Sequence, residues 1–252
     1  MFPLTVVLVR PRLPENIGMA ARACANMGVR NLILIEAERW EYDKAAPLAT
    51  GKGLEILDSV CIMPSLAEAL AQHTLALGTT ARTGGWRSNS MPPRRAATAI
   101  AAHCREAQEN ASVALVFGPE DRGLENTEIA LCTHLVTIPT VPEASSLNLA
   151  QAILILLYEC FTASLDHAYH PERTPKGRKN SRMATIEEQE MLFASLESTL
   201  SHIRFLPKDN PEWSMQALRH FVRRAVLQRH EFDLFMGMCR HIMHAAPKND
   251  CE

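Results

Sequence analysis

The first 165 residues alternate short, unbroken apolar runs with longer amphipathic stretches. Thr5–Val9, Leu32–Ile35, Thr74–Gly78, Val113–Phe117 and Leu135–Ile138 lack the in-and-out rhythm of a half-exposed strand, so they predict strands buried on both faces. Between them, helical spacing predicts helices over Asn16–Met27, near Ser65–His73, near Arg94–Ala107, over Glu125–Cys132 and over the strongly apolar Leu147–Phe161. Gly28 stands where the first helix needs a C-terminal glycine. Strands alternating with helices in this way predict an α/β fold, a parallel sheet with helices on both faces. From residue 184 the rhythm becomes helical throughout. Met191, Leu192, Leu196, Leu200 and Ile203 share helical spacing over Ile186–Ile203. Pro207 and Pro211 then break the pattern before helices over Ser214–Gln228 and Glu231–Ala245. About 60 residues in three helices bury little on their own, so this tail is expected to dock on the first domain or across a dimer.

No stretch reaches the roughly 18 consecutive apolar residues of a membrane span. The start, Met1-Phe-Pro-Leu-Thr-Val-Val-Leu-Val9, has no leading basic region and reads as a strand rather than a signal peptide, which predicts a cytoplasmic protein.

Composition adds one feature. The whole chain has 252 residues and a formal net charge of -2, so it does not announce a nucleic-acid binder. Yet residues 167–183 hold Arg173, Lys176, Arg178, Lys179 and Arg182 against the single acid Glu172, among Pro, Gly, Ser and Asn. This basic linker, 166–183, divides a domain over 1–165 from a helical extension over 184–252.

Candidate chemistry lies in loops that follow strands, where parallel α/β folds place their ligands. Four such loops are Arg10–Gly18, running into a helix that carries Arg22; Thr79–Gly85; Gly118–Gly123; and Pro139–Ser146. The spacings GxGxxG, P-loop, GxSxG and HExxH are all absent. Seven cysteines, with no CxxC pair, read as buried reduced thiols, and His241 with His244 lacks a third ligand, so no metal is expected. Taken singly, Asn16 reads as a helix N-cap, Arg22 and Glu120 as solvated residues, and Ser145–Ala150 as a capped helix start.

Three segments taken together are more specific: Asn16–Arg22 with Asn26-Met-Gly28, Phe117-Gly-Pro-Glu-Asp-Arg-Gly-Leu124, and Ser145-Ser-Leu-Asn-Leu149. In this order they resemble the three motifs of the SpoU branch of knotted RNA 2′-O-methyltransferases. The helical tail, through Leu192–Leu200 and Leu218–Arg224, is similar to that of the bacterial enzymes that methylate cytidine or uridine at position 32 of the tRNA anticodon loop. The resemblance implies a trefoil knot late in the first domain, S-adenosylmethionine as cofactor and a homodimer with active sites near its interface.

Carried over by residue, the resemblance places the cofactor at Thr79, Thr80, Ala81, Gly118, Ile138, Ser145, Ser146 and Leu147. Ile138 and Leu147 would cover the adenine face, and Gly118 would let backbone approach it. Arg22 is the implied base. A guanidinium resists deprotonation, so Arg22 serves as well by gripping the target phosphate and steadying the developing alkoxide. Asn16, Glu120, Ser146 and Asn148 would orient Arg22, the ribose and the loops. Arg10, Arg12, Arg82, Arg87, Arg94, Arg95, Lys176, Arg178, Lys179, Arg182, Arg219, Arg223 and Arg224 are available for RNA phosphates. Trp86 is available for stacking on splayed bases, and Trp213 is expected in the core. The alternatives are methylation of ribosomal RNA and a non-catalytic RNA-binding module of the same fold.

Overall fold

The computed structural model describes residues 1–82, 84, 87, 89–169, 182–207, 210–225 and 227–245. Trp86, Lys176, Arg178, Lys179 and Cys251 lie outside the described residues. The chain divides into two compact units, Met1–Lys176 and Gly177–Glu252.

The first unit is built on a six-stranded sheet of β1 (Leu4–Val9), β2 (Asn31–Ile35), β3 (Cys61–Met63), β4 (Leu75–Thr79), β5 (Val113–Phe117) and β6 (His134–Val136). The spatial order is β3-β2-β1-β5-β4-β6, and every pairing is parallel. All residues of β1 and β5 are buried, which is why these segments read as continuous apolar runs. Leu4, Val6, Leu8, Leu115 and Phe117 join one core cluster with α1 (Pro14–Asn26), α5 (Pro93–Ala107) and α7 (Leu149–Tyr169). Val7, Val9, Ala114 and Val116, one residue out of phase, fill the opposite face and are equally buried.

The chain between β2 and β3 holds two helices that the sequence pattern does not show: α2 (Tyr42–Ala49) and α3 (Lys52–Asp58). Pro47 sits inside α2, and Gly51 and Gly53 flank Lys52, so local propensity argues against both. Packing overrides it. A side chain on Gly18 of α1 would come within 2.0 Å of the Ala45 carbonyl oxygen, and one on Gly53 within 3.0 Å of the Arg22 Cα. Two glycines therefore let three backbones meet. The remaining helices of this unit are α4 (Leu66–Leu70) and α6 (Asn126–Ala130), and α7 runs eight residues beyond the apolar stretch that predicts it.

The segment after β4 flanks β6. The Thr80 N–H donates to the Val136 carbonyl at 2.9 Å, the Met91 N–H to the Leu135 carbonyl at 2.9 Å, and the Thr137 N–H back to the Met91 carbonyl at 3.0 Å.

The second unit holds α8 (Ile186–His202), α9 (Pro211–Arg224) and α10 (Arg229–Ala245). Its core is Ala184, Leu192, Phe193, Val222, Leu227 and Phe232. Met191 and Ile203, two members of the expected stripe, are 55% and 41% exposed, because the helix turns Leu192 and Phe193 inward instead. Trp213 is 69% exposed rather than core, since α9 buries Met215 and Val222. The cysteines are not uniformly buried either: Cys61, on the edge strand β3, is exposed. Burial pushes the Cys24 and Cys160 thiols up to about 12, so both are inert at neutral pH. Among the described residues, no helix is long and apolar enough to cross a membrane, and no group of three potential ligands gathers to hold a metal.

Candidate functional site

A cavity of about 450 Å³ opens beyond the carboxyl ends of β4, β5 and β6. Thr79, Thr80, Ala81, Gly118, Ile138, Ser145, Ser146 and Leu147 all line it, so three regions far apart in sequence, 79–81, 118 and 138–147, meet at one place. Its size suits a small organic molecule, and Phe117, Leu124 and Val136 supply apolar walls beside the Thr and Ser hydroxyls. The order in which the chain adds strands reverses between β1 and β5, where the switch-point rule would put a ligand. Glu120, beyond β5, lines the cavity and also reaches the Arg12 N–H beyond β1.

Glu120 gathers the first and second motifs. Its carboxylate accepts from the Arg12 N–H at 2.9 Å, the Leu13 N–H at 3.3 Å and the Asn16 Nδ2 at 2.7 Å. Asn16 is not the N-cap of α1. That position is Leu13, whose side chain caps nothing, and Pro14 follows at the first helical position. Glu120, from another loop, instead accepts from the amides of Arg12 and Leu13, the two residues that precede the helix. Asn16 is 2% exposed and hydrogen-bonded on both ends of its amide, since Asn148 Nδ2 donates to its Oδ1 at 2.9 Å. Asn148 also caps α7, accepting from the Ala150 N–H at 2.9 Å. It is a helix cap and a member of the network at once, so the ordinary and the functional readings of that segment are both correct. The chain Asn148–Asn16–Glu120 thus links all three motifs through the buried amide of Asn16.

Ser146 lines the cavity outside this network, and Arg22 belongs to neither. Arg22 is exposed, six residues beyond Asn16 on α1, which is about 9 Å along the axis and on another face. That face is the one where Gly53 of α3 meets the helix.

Gly118 is required for a reason different from the one expected. A Cβ there would fall 2.3 Å from the Leu124 nitrogen and 2.4 Å from the Gly123 carbonyl carbon. Its own loop excludes the side chain, before any ligand is considered. Gly123 closes that loop with φ +62, and its N–H reaches the Pro119 carbonyl at 2.8 Å.

The arginines differ in what they are free to do. Arg10 is ion-paired to Glu36, Glu125 and Glu128, and Arg12 to Asp121. Arg82 donates to the carbonyls of Arg122 and Leu124, and Arg87 to Asn126 Oδ1 at 2.9 Å. Burial, then the Arg82 charge, lowers the Arg87 pKa. Arg94 is 89% exposed, with a long 3.8 Å contact to Glu159, and Arg95 is exposed. In the second unit, Arg182 pairs with Glu188, and Arg219 and Arg223 both pair with Glu190 at 2.5 Å over the Phe193 ring. Arg224 is exposed.

A parallel α/β domain with a polar and apolar cavity beyond its strands defines a small-molecule-binding class of enzyme folds. The comparisons narrow it. Residues 3–158 match the model of the SpoU rRNA methylase family, and residues 187–251 match that of the C-terminal domain of the tRNA methyltransferase TrmJ. A tRNA (cytidine/uridine/adenosine-2′-O-)-methyltransferase TrmJ from Pseudomonas aeruginosa is 37% identical over 239 residues, which are 93% of this chain and 91% of that protein. A tRNA (cytidine/uridine-2′-O-)-methyltransferase TrmJ from Yersinia pestis is 35% identical, covering 95% and 91%. The crystal structure of TrmJ from Z. mobilis superposes with a TM-score of 0.75 at 32% identity, over 95% of this chain and 98% of that one. The chain belongs to the SpoU methylase family. It is an RNA methyltransferase, and its methyl donor is S-adenosylmethionine.

Proposed function

We propose that the chain transfers the methyl group of S-adenosylmethionine to a ribose 2′-hydroxyl of tRNA, in the anticodon loop at position 32. The observation that carries this reading is that the second and third motifs line the cavity beyond β4, β5 and β6, while Asn16 of the first motif is hydrogen-bonded to both through Glu120 and Asn148. The full-length likeness to enzymes named for tRNA 2′-O-methylation supports the substrate.

The cavity fits the donor. Ile138 and Leu147 offer apolar cover for a flat base, Thr79, Thr80, Ser145 and Ser146 offer hydroxyls, and the 118–124 loop presents backbone. Bound there, S-adenosylmethionine supplies a methyl group already activated on a sulfonium, so no metal is needed. The protein's share is alignment, worth several kcal/mol of barrier, and help with one proton. The Asn148–Asn16–Glu120 chain fixes the three loops that must hold still for that alignment.

Arg22 is exposed and does not line the cavity of its own chain. The reading is completed by a homodimer in which Arg22 of one protomer serves the cavity of the other, gripping the phosphate beside the target ribose. The α7 helix supports the dimer: Leu154, Tyr158 and Leu165 are 41%, 54% and 52% exposed, a second apolar stripe on a helix whose first stripe is already buried. Sedimentation at twice 28.0 kDa is expected. The same flanking of β6 by Thr80 and Met91 supports the trefoil knot.

The test is nucleoside mass spectrometry on tRNA and ribosomal RNA from cells with and without the gene. Loss of a 2′-O-methylated nucleoside from tRNA alone supports the proposal, and loss from ribosomal RNA alone redirects it to the other RNA.

A further inference from the structure

Arg10 and Glu36 end the neighbouring strands β1 and β2, and both adopt the left-handed conformation, at φ +46 and +48. Residues other than glycine rarely do so, and functional sites are where such geometry collects. The Arg10 N–H extends the ladder by one bond, to the Ile35 carbonyl at 2.8 Å. The turn aims its guanidinium across the sheet end. Nη1 meets Glu36 Oε2 at 3.2 Å, and Nη2 meets Glu125 Oε1 at 3.3 Å and Glu128 Oε1 at 2.6 Å.

Those last two partners matter most. Glu125 is the N-cap of α6, and Glu128, 7% exposed, accepts from the Glu125 N–H at 2.7 Å in a capping box. Arg10 therefore fastens the start of α6 to the end of β1. The chain between β5 and α6 is the 118–124 loop, a wall of the cavity. One end of this loop is fixed because Gly118 follows β5; the other is fixed by Arg10. Arg122 lies beside Glu125 as well, at 4.0 Å, but the Arg10 guanidinium is taken up by its three carboxylates, which leaves it little free to grip a phosphate. Burial works against the Arg10 charge, yet the carboxylates raise its pKa above the ordinary value.

We propose that Arg10 is a positioning residue for the methyl-donor cavity: acting through Glu125 and Glu128, it holds the 118–124 loop in the shape that binds the donor, and it takes no part in holding RNA. This rests on the reading of the cavity as the S-adenosylmethionine site.

The experiment compares the full chain with Arg10→Gln, Arg10→Lys and Glu125→Gln. Hydrogen exchange over residues 117–128 is measured without ligand, S-adenosylmethionine affinity by calorimetry, and tRNA affinity across a salt series. Arg10→Gln should speed exchange of the loop amides. It should weaken S-adenosylmethionine by roughly tenfold, the scale of coupling between linked sites. The salt slope for tRNA should stay unchanged. Arg10→Lys should recover part of the affinity, and Glu125→Gln, at an exposed carboxylate, should reproduce a few-fold loss in a chain that folds even where Arg10→Gln does not. Adding Glu128→Gln to Arg10→Gln should cost little more. Unchanged exchange with unchanged donor affinity overturns the proposal, and so does a salt slope shallower by about one, which would make Arg10 a phosphate ligand. Failure of the unaltered chain to bind S-adenosylmethionine would sink the reading of the cavity, while the exchange measurement would still decide the role of Arg10.

Discussion

The two units use polar side-chain contacts toward opposite ends. In the first, hydrogen bonds join Asn16 to Glu120, 104 residues away, and to Asn148, 132 residues away, and so tie the start of α1 to the two loops that line a cavity. In the second, Glu188 and Glu190 collect Arg182, Arg229, Arg219 and Arg223 around a six-residue core and end at no motif. The first unit spends its polar bonds on holding loops still; the second spends them on holding three helices together. The difference teaches that a basic residue in the sequence is not yet a basic residue on the surface. What the second unit does present is aromatic: Phe205, Trp213 and Phe221 are 67%, 69% and 57% exposed. Exposed rings of this kind suit stacking on unpaired bases of an RNA loop.

The largest expected effect lies in the first unit. Arg22→Ala should lower kcat by about 10²–10⁴-fold, while calorimetry finds S-adenosylmethionine affinity within a few fold. Mixed with chains whose cavity is filled by Leu147→Trp, it should regain activity, since one dimer site then has both an intact cavity and an intact Arg22. No regain would place Arg22 in the cavity of its own chain.

Acid should unfasten the units in turn. Burial, then the nearby His134, lowers His103 to about 4 from 6.5, with its Nε2 2.8 Å from the Thr74 hydroxyl. A histidine held neutral in the fold binds its proton more readily when unfolded. Its contribution is therefore complete above about pH 6.5 and is lost as pH falls toward 4, in total about 3 kcal/mol. For Glu188, burial alone would raise the pKa. The Arg182 hydrogen bond, the Thr185 N–H and the Arg182 and Arg229 charges bring it down to about 2. Its contribution is complete above about pH 4.5 and is lost as pH falls toward 2. Hydrogen exchange across a pH series should show β4 and α5 loosening first and α8 afterwards. His103→Gln should flatten the first phase, and the reverse order would contradict the assignment.

Glu120→Ala removes the acceptor of two backbone amides and the Asn16 side chain. It should cost about 1–3 kcal/mol in urea unfolding, and weaken donor binding without altering α8–α10. The smallest effect is expected from ending the chain near residue 166. Donor binding should persist, and tRNA binding should weaken with a shallower salt dependence, because phosphates held by the linker and tail are lost. An unchanged slope would make the second unit structural only.

How much of this was legible in the sequence follows from range. β5 was legible to the residue and β1 to within one, because a fully buried strand is its own signal. α2 and α3 were not, since Pro47, Gly51 and Gly53 contradict them and only packing on α1 explains them. The cavity lining was legible through the resemblance, as order along the chain. The partners of Arg10, Arg12, Arg82 and Arg87 were not, because ion pairs and hydrogen bonds spanning 26 to 118 residues leave no local pattern. Trp213 was misplaced because spacing alone does not say which side of an amphipathic helix finds a neighbour.

The central claim is ribose methylation of tRNA by the cavity of the first unit. Its most direct measurement incubates the purified chain with S-adenosylmethionine and unmodified tRNA, then digests the RNA and identifies the methylated nucleoside by mass spectrometry. The account predicts a 2′-O-methylated nucleoside mapping to position 32 and abolished by Arg22→Ala. Methylation on a base, or none in the presence of bound donor, would contradict it.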